Sequence, residues 1–487
     1  GFSYILQQSW RFEKEHRVSD WHGTPIRKHG CHYTALCVAD VECAIGRGGE
    51  SDERVMIYKQ PSGNAGEYYP AFFEMRLKVD SMIDLNTCSD SDFALFFHEY
   101  VHFLQDLMTT YGLTNCYYVG EYIQSVVNDI YQNETDGKIK VPYCYVDNKD
   151  NILIEELIRN VTMGDVSETI PNLTNLSWEK DAFADIPKVE RLKEITGICV
   201  SANDSEIFSF GAYAIKESMA YILERLLTKD YQKSDDYPYC AAERLIEMEY
   251  PAFGKNILNV LALCDCSLMF TNPSHVFYDI LKDMKKKNYI PLKPQDLYEQ
   301  LCNARIGVGG TKTDVFSHYK IIAEEARMKL KSYFYIPNHT EIHEAYHKWI
   351  DKVVDYAIYM RTENPHFLID LVTIGQARTN NLFADIVKNI GTPLMRNKRN
   401  EYFSVKPNGF NGFNVEILKA VKQIYKMLHD GEIACELYPW CDGTVGINPT
   451  SDICLKQPWK RCELQELCPV ALLLKNWNLH KYAFVHK

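Results

Sequence analysis

An apolar segment with two histidines four residues apart constrains the fold of this chain more than any other feature. The segment Phe96–Leu104 contains the pattern H-E-x-x-H between uncharged residues. Residues four apart lie on one face of an α-helix, so we expect His98 and His102 to bind one metal ion together. Glu99 then lies beside a water molecule that the metal activates, and it can accept that water's proton. The segment therefore predicts a buried helix with a hydrolytic metal site.

The flanking residues indicate where this helix begins and ends. Residues 89–92 provide a serine cap and acidic side chains, both typical of a helix N-terminus. We expect the helix to run to about Thr110, with Gly112 as its stop signal. Just upstream, residues 73–80 alternate apolar and polar side chains. This alternation predicts a half-buried strand directly before the helix.

The chain contains the same five-residue pattern a second time, from His343 to His347. Charged residues flank this copy, with Glu341 before it and Lys348 directly after it, and Thr340 can cap a helix start. Because an unpaired buried charge is costly, a metal-binding helix tolerates few charges next to its ligands. We therefore interpret the second copy as the exposed face of an ordinary helix.

A strand followed by an H-E-x-x-H helix resembles the zincin metallopeptidases. In that family the strand lies at the edge of the cleft and pairs with an extended peptide substrate. The metzincin branch needs a glycine and a further histidine soon after the second histidine, and neither follows His102 here. The resemblance therefore implies a gluzincin, in which a glutamate from a later helix is the third ligand of the zinc ion.

Two glutamates are candidates for this third ligand. Glu217 lies in a predicted helix with small residues that allow close packing against another helix, namely Gly211, Ala212, Ala214, Ser218 and Ala220. Its E-x-x-A pattern resembles the ligand helix of several gluzincin families. Glu121 follows His102 after 18 intervening residues, a spacing that resembles the aminopeptidase branch, but the rest of that branch's motif is missing. We favour Glu217 and keep Glu121 as the alternative.

Four further residues are candidates for supporting roles. Tyr213 and Tyr221 flank Glu217 at four residues on either side, so each can donate a hydrogen bond to an oxyanion, although core packing is the favoured interpretation. Asp265 lies in an apolar run and needs a partner; it either orients a ligating imidazole or caps a local turn. His275 follows a turn signal and is interpreted as a loop histidine.

Composition excludes several classes of protein. The chain has 487 residues, 46% of them hydrophobic, which predicts a large core and two or three domains. A net charge of −12 without a long basic run argues against nucleic acid as the main partner. No apolar run is long enough to span a membrane.

The 16 cysteines are mostly scattered in apolar segments, as is typical of reduced thiols, so we expect a cytoplasmic protein.

Five of these cysteines are concentrated near the C-terminus, among three tryptophans. They fall within 34 residues with 5, 12, 7 and 5 intervening residues, and they are Cys435, Cys441, Cys454, Cys462 and Cys468. These spacings match no zinc-ribbon pair. Pro469 follows the last cysteine, as in some iron–sulfur runs. We favour free thiols in a packed subdomain, with a structural metal or cluster as the alternative.

We predict an α+β, predominantly α-helical fold with a zincin-like catalytic core, a small N-terminal β-sheet and a helical, Cys-rich C-terminal region. The four expected parts are a strand-rich part with the cleft-edge strand, a helical zincin core, a further helical region that includes Trp349–Met360, and a Cys/Trp-rich subdomain, over residues 1–85, 86–290, 291–430 and 431–487. The polar segment 165–205 is a candidate insertion over the cleft.

The predicted function is that of a zinc-dependent metallopeptidase acting on a protein or peptide. His98, His102 and Glu217 are expected to bind Zn²⁺, with Glu99 as the general base. The resemblance covers the strand–helix–helix core, and the sequences around His98 and Glu217 resemble those of poorly characterised bacterial H-E-x-x-H proteins. One alternative is a non-peptidase zinc hydrolase on the same scaffold. Another is an interaction protein with a degenerate or structural metal site, in which a tyrosine-rich surface and the Cys-rich tail bind partners.

Overall fold

The computed structural model describes nine stretches of the chain, to which every structural statement below refers. They are residues 66–144, 158–166, 169–181, 196–308, 311–333, 341–410, 415–443, 450–464 and 468–486. Most of the predicted strand-rich part, residues 1–65, lies outside these stretches, and so does the predicted cap Thr340.

Helices account for most of the described residues, in agreement with the predicted fold class. Those with described bounds are α1 (Asp90–Met108), α2 (Thr110–Asn133), α3 (Ala212–Leu227), α4 (Ala241–Glu249), α5 (Pro251–Gly254), α6 (Ile257–Leu268), α7 (Pro273–Lys287), α8 (Gln295–Asn303), α9 (Val315–Ser332), α10 (Glu341–Glu363), α11 (Phe367–Ile374), α12 (Asn381–Ile390), α13 (Glu416–His429), α14 (Tyr438–Gly443), α15 (Asp452–Lys456) and α16 (Pro469–Asn476). None of the described helices has the length and apolar character needed to cross a lipid bilayer.

Short strands form small sheets at several places along the chain. They are β1 (Gly66–Tyr69), β2 (Glu74–Leu77), β3 (Lys138–Val141), β4 (Ser177–Asp181), β5 (Gly197–Ala202), β6 (Glu206–Phe210), β7 (Arg305–Val308), β8 (Thr311–Asp314), β9 (Leu394–Arg396), β10 (Tyr402–Phe403) and β11 (Ala483–His486). One sheet has the order β1-β2-β9-β10, with β1 antiparallel and β9 parallel to β2. The predicted N-terminal sheet is therefore completed by strands from the C-terminal half.

Three smaller sheets complete the strand content of the described residues. Strands β4, β5 and β6 form an antiparallel sheet, β7 pairs with β8, and β3 pairs in parallel with β11. The described part of segment 165–205 thus contains β4 and β5, and β6 leads directly into α3. This polar segment, which we predicted as a candidate insertion over the cleft, contributes two strands of the sheet that leads into α3.

One continuous cluster of buried apolar side chains extends from Tyr68 to Phe484. It includes residues from the described portions of all four predicted parts of the chain. Helix α10 illustrates the pattern, because the apolar residues predicted at helical spacing from Trp349 to Met360 are buried on one of its faces. The helix Asp90–Met108 contributes to the same cluster and is therefore held by contacts that are distant in sequence.

Helix α1 carries the first H-E-x-x-H motif through this core. The Ser89 hydroxyl accepts a hydrogen bond from the Asp92 backbone N–H at 3.0 Å, as the predicted cap requires. All thirteen residues from Phe96 to Met108 are buried. Asp106 accepts hydrogen bonds from the Tyr68 hydroxyl at 3.1 Å and the Ala71 N–H at 2.9 Å, which hold the β1–β2 turn against the helix.

Gly112 has a different role from the predicted helix stop. Helix α1 ends at Met108, and Gly112 lies in the first turn of α2, where its N–H donates to the Thr109 hydroxyl at 3.0 Å. A Cβ atom at Gly112 would come within 2.3 Å of the Gln105 carbonyl oxygen. Glycine is therefore required at this position because the two helices meet at very short distance. Helix α1 ends instead at the extended backbone of Thr109.

The strand predicted over residues 73–80 is present, but it is shorter and does not form the sheet edge. Strand β2 lies between β1 and β9, so the strand at the edge of the sheet is β1. Glu74 of β2 points into the interior, where Lys419 and Lys422 contact its two oxygens at 2.8 and 2.9 Å. These buried ion pairs with α13 hold β2 in the interior of the sheet. The alternation of apolar and polar residues does not by itself predict such ion pairs.

The second H-E-x-x-H copy lies in α10, and its described residues agree with an ordinary exposed helix face. The Glu344 and Lys348 side chains are exposed and lie 3.5 Å apart. His347 Nε2 is 3.0 Å from the backbone carbonyl of Lys331. Nothing in this geometry indicates a metal site there, although the side chain of His343 lies outside what the structure describes.

Candidate metal centre

His98, His102 and Glu217 converge at one buried point between α1 and α3. The Nε2 atom of His98 lies 3.2 Å from Glu217 Oε2, and the Nε2 atom of His102 lies 3.4 Å from Glu217 Oε1. One donor atom from each residue can be chosen so that all three lie within 4.8 Å of one another. The structure therefore brings together the three residues that the sequence favoured as metal ligands.

The sequence of α3 explains how Glu217 approaches the histidines. Ala212, Ala214, Ser218 and Ala220 are buried, so small side chains separate α3 from its neighbours as predicted. Gly211 precedes the helix, where a Cβ atom would lie 2.1 Å from the Met163 carbonyl oxygen. The small residues let the backbone of α3 approach α1, and the carboxylate of Glu217 then reaches both imidazoles.

Glu121, the alternative third ligand, is not part of this centre. It lies on α2, where its side chain is 38% exposed and forms an ion pair with Lys329. Spacing along the chain suggested Glu121, but α2 directs it to a partly exposed surface beside α9 instead. Of the two candidates, only Glu217 lies with the histidines.

Two polar residues that the sequence interpretation missed form hydrogen bonds with the Nδ1 atoms of the two imidazoles. His98 Nδ1 donates to Glu224 Oε2 at 2.9 Å, and His102 Nδ1 donates to Gln105 Oε1 at 2.8 Å. The Gln105 amide group donates in turn to the Lys216 backbone carbonyl at 2.9 Å, which fixes its orientation. With Nδ1 as the donor in both rings, loss of the Nε2 protons would leave both Nε2 lone pairs for a metal ion beside Glu217.

Helical periodicity contains the signal that would have found these two residues. Glu224 follows Glu217 by seven positions, which places both carboxylates on one face of α3 two turns apart. Gln105 follows His102 by three positions on α1 and therefore lies on the same face.

Charge within the centre is balanced between the carboxylates and the imidazoles. Burial disfavours the protonated imidazole of His98, but hydrogen bonds to Glu217 and Glu224 outweigh it and raise the pKa of His98 well above its usual range. Burial also disfavours the charged form of Glu217, yet His102 and His98 hold the pKa of this carboxyl well below its usual range. A divalent cation bound here would take the place of the imidazolium proton between the same groups.

Glu99 is a buried carboxylate whose environment suits a reactant. Its Oε2 atom has no hydrogen-bond partner among the described residues. Burial raises the pKa of Glu99 to about 7. A Cβ atom at Gly66 of β1 would lie 2.3 Å from Glu99 Oε1, so only glycine leaves room for this carboxylate beside the edge strand. A buried carboxylate oxygen without a partner is free to accept a proton or a hydrogen bond from a bound molecule.

The tyrosines differ in their relation to the centre. Tyr213 is buried, its hydroxyl has no hydrogen-bond partner among the described residues, and burial together with Glu217 raises its pKa well above the usual range. Tyr221 instead accepts a hydrogen bond from the Ser234 N–H at 3.3 Å. Tyr239, which the sequence interpretation missed, packs edge-on against His98 with ring centres 5.9 Å apart. Tyr68 also stacks on His102, with ring centres 6.1 Å apart, so Tyr68, Tyr213 and Tyr239 are all close to the candidate ligands.

Asp265 has neither of its predicted roles. Its two carboxylate oxygens accept hydrogen bonds from the Arg361 guanidinium at 2.8 and 2.6 Å, and Oδ2 also accepts one from the Tyr298 hydroxyl at 2.8 Å. It neither orients an imidazole nor caps a turn, because its partner is a buried arginine on α10. Glu224, not Asp265, is the carboxylate that contacts a candidate ligand.

His275 is a helical residue, contrary to the loop interpretation. It lies in the first turn of α7, where Asn272 is the N-cap. Its Nδ1 atom is 2.7 Å from the Thr196 hydroxyl, and its Nε2 atom is 3.0 Å from Asp279. These contacts anchor α7 to the start of β5 and do not involve the metal centre.

The donor set can hold a divalent metal ion, and zinc is one that such ligands bind. Two imidazole nitrogens and one carboxylate form a ligand set known from zinc hydrolases, in which three protein ligands leave one position for water or substrate. No fourth histidine, cysteine or carboxylate of the described residues joins the group within the same 4.8 Å limit. The residues present therefore satisfy the requirements of an open metal centre with a buried carboxylate beside it.

Removal of the Glu224 side chain is expected to weaken metal binding about 10- to 100-fold, because the imidazole of His98 loses the acceptor that orients it. The measurement is the dissociation constant for Zn²⁺ of Glu224→Ala, obtained by competition with a chelator. The exposed carboxylate of Glu247 on α4 provides the matched control, and Glu247→Ala should bind zinc like the wild type. Equal affinity in Glu224→Ala and wild type would show that this contact does not act on the metal.

Comparison of the sequence with protein-family models found no match, and curated proteins and solved structures likewise gave no significant match. The function is therefore inferred from the chemistry of the centre itself.

Proposed function

We propose that this protein is a zinc-dependent metallopeptidase that hydrolyses peptide bonds in a protein or peptide substrate. The observation that carries the proposal is the convergence of His98, His102 and Glu217 next to the buried carboxylate of Glu99. The resemblance of the motif-bearing helix and the third-ligand helix to gluzincins supports the same conclusion. Free thiols at all thirteen cysteines within the described stretches support a reducing, cytoplasmic setting.

Each group of the centre has a defined role in this reaction. Zinc bound by the three ligands supplies a Lewis acid that acidifies water and polarises the substrate carbonyl. Glu99 accepts the proton of the attacking water and delivers it to the nitrogen of the leaving amine. Tyr213, whose buried hydroxyl is otherwise unpartnered among the described residues, donates a hydrogen bond to the developing oxyanion.

Strand β1 supports a peptide as the substrate. It pairs with β2 on one side, and no described strand pairs with its other side. Gly66 at the start of β1 contacts the region of Glu99, so an extended peptide added to this edge would lie next to the general base. Backbone pairing with an exposed sheet edge is a general way to bind a peptide without strict dependence on its sequence.

Metal analysis of the wild type and two glutamate variants tests the centre. We expect about one equivalent of zinc per wild-type chain, loss of this zinc in Glu217→Ala, and retention in Glu121→Ala. Both variants remove a carboxylate from a helix, but only Glu217 lies with His98 and His102. The measurement is elemental analysis of protein dialysed against a metal-free buffer. Zinc retained in Glu217→Ala would contradict the proposed third ligand.

A substrate screen then separates peptidase activity from other zinc hydrolysis. Cleavage of an unbiased peptide library by the zinc-loaded protein is the expected result. Activity on small esters or amides without peptide cleavage would favour the non-peptidase hydrolase. A zinc site with a fourth protein ligand and no hydrolysis would favour the interaction protein.

A further inference from the structure

A row of three tyrosine rings leads from the candidate ligand His98 to the protein surface. The ring centre of Tyr239 lies 5.9 Å from that of His98, Tyr221 lies 5.9 Å from Tyr239, and Tyr231 lies 6.2 Å from Tyr221. Each neighbouring pair is packed edge to face. Tyr221 in the middle is buried, whereas Tyr239 is half-buried and Tyr231 is 44% exposed. We call these three residues the tyrosine row, and its two ends offer ring surface to a ligand.

The position of the tyrosine row is fixed relative to the third candidate ligand. Ser218 follows Glu217 on α3 and is fully buried. Its hydroxyl donates to the Pro238 carbonyl at 3.0 Å and accepts from the Ala242 N–H at 3.2 Å. The residue directly before Tyr239 is therefore bound to the helix that carries Glu217, so the ring of Tyr239 is held beside the metal centre.

The middle ring of the tyrosine row is held from two sides. The Arg225 guanidinium lies over the Tyr221 ring, 4.7 Å from its centre, and the Ser234 N–H donates to the Tyr221 hydroxyl at 3.3 Å. Arg225 also forms an ion pair with Glu243. These contacts make the row a preformed wall, and they place a positive charge against one of its rings.

The charges around the tyrosine row favour a neutral ligand. Glu224 lies 2.9 Å and Glu217 lies 3.2 Å from the imidazole of His98, on which Tyr239 packs. An acidic group beside Tyr239 would therefore lie close to two carboxylates, and a basic group would lie close to Arg225; like charges in contact oppose binding. A neutral aromatic ring avoids both penalties and continues the edge-to-face packing of the row.

We propose that the tyrosine row is a subsite for an aromatic side chain that flanks the scissile bond of the substrate. This inference rests on the proposed metallopeptidase function. Tyr68 of β1 stacks on His102 with ring centres 6.1 Å apart, whereas Tyr239 packs on His98. The metal centre thus has β1 at one imidazole and the tyrosine row at the other. A peptide paired with β1, with its scissile bond at the metal, presents a flanking side chain to Tyr239.

The test compares the affinities of the zinc-loaded protein for L-phenylalanine hydroxamate and L-alanine hydroxamate, measured by isothermal titration calorimetry. Both probes bind zinc through the same hydroxamate group, and they differ only in the phenyl ring. We expect wild type to bind the phenylalanine probe about 10- to 100-fold more tightly. Tyr239→Ala should lose most of this preference, and Tyr239→Phe should keep it because the ring remains.

Two controls accompany these variants. Affinity for the alanine probe shows whether the metal centre of Tyr239→Ala is intact, because this probe has no ring to contact the tyrosine row. Tyr359 is 58% exposed on α10, and Tyr359→Ala should keep the full preference for the phenylalanine probe. In the peptide library, we expect cleavage next to phenylalanine, tyrosine or tryptophan.

Several results would overturn the subsite. Equal affinity of wild type for both probes would exclude it while leaving the zinc centre intact, and so would an undiminished preference in Tyr239→Ala. Tighter binding of L-lysine hydroxamate than of the phenylalanine probe would assign the tyrosine row to basic side chains instead. Binding of none of these probes would contradict the zinc centre itself, and the subsite with it. Failure of the subsite and failure of the hydrolytic centre are therefore distinguishable.

Discussion

Replacement of Glu99 by glutamine is expected to lower kcat/KM for peptide hydrolysis by about 10²- to 10⁴-fold while zinc remains bound, because glutamine cannot accept the proton of the attacking water. Glutamine has nearly the same shape as glutamate, so it fits the space that Gly66 leaves beside this side chain. His98, His102 and Glu217 are unchanged in this variant. The measurement combines the hydrolysis rate of a peptide from the substrate screen with the zinc content of the same preparation.

The second H-E-x-x-H copy supplies the matched control for this prediction. Glu344 occupies the equivalent position of that motif, but its side chain is exposed and pairs with Lys348. Glu344→Gln should hydrolyse the peptide at the wild-type rate. Unchanged activity in Glu99→Gln would exclude Glu99 as the general base, and loss of zinc in this variant would point to a structural role.

Replacement of Arg361 by methionine is expected to lower the free energy of unfolding by about 3–5 kcal/mol, because it leaves the buried carboxylate of Asp265 without its charged partner. The side chains of Arg361 and Asp265 are 1% and 0% exposed. The guanidinium also donates to the backbone carbonyls of Met108 and Pro365, so it joins the end of α1 to α10. Urea unfolding followed by circular dichroism measures the difference from wild type.

A double variant distinguishes the loss of an ion pair from the loss of packing. Arg361→Met combined with Asp265→Leu removes both charges, and replacement of a buried pair by apolar residues is often close to neutral. The double variant should therefore be more stable than the single variant Arg361→Met. A single variant within about 1 kcal/mol of wild type would show that this pair is dispensable for folding.

The candidate ligands could be predicted from sequence because their signal is local. His98, Glu99 and His102 lie within one helical turn of each other, and helical geometry is set by the backbone. The small residues around Glu217 indicated a closely packed helix, and that packing is observed. Spacing along the chain was the weaker signal, since it also suggested Glu121, which α2 carries to the Lys329 side of the molecule.

Partners of buried charges were the features that sequence could not assign. Asp265 required a partner on physical grounds, but the partner is 96 positions away on α10. Glu74 looked like the exposed position of an alternating strand, yet two lysines of α13 neutralise it in the interior. Such pairs form between elements that approach only after the chain has folded. The local pattern of apolar and polar residues therefore does not predict which residue pairs with a buried charge.

By itself, the sequence determined the identity and spacing of the groups that can bind a metal and move a proton, because those properties depend on residue type and on the regular geometry of a helix. Only the tertiary structure decided which glutamate meets the histidines, which strand forms the edge beside Glu99, and which tyrosines pack on the imidazoles. Those outcomes depend on long-range packing of helices and strands. A distance of a few ångströms between side chains more than 100 residues apart is a property of the folded core.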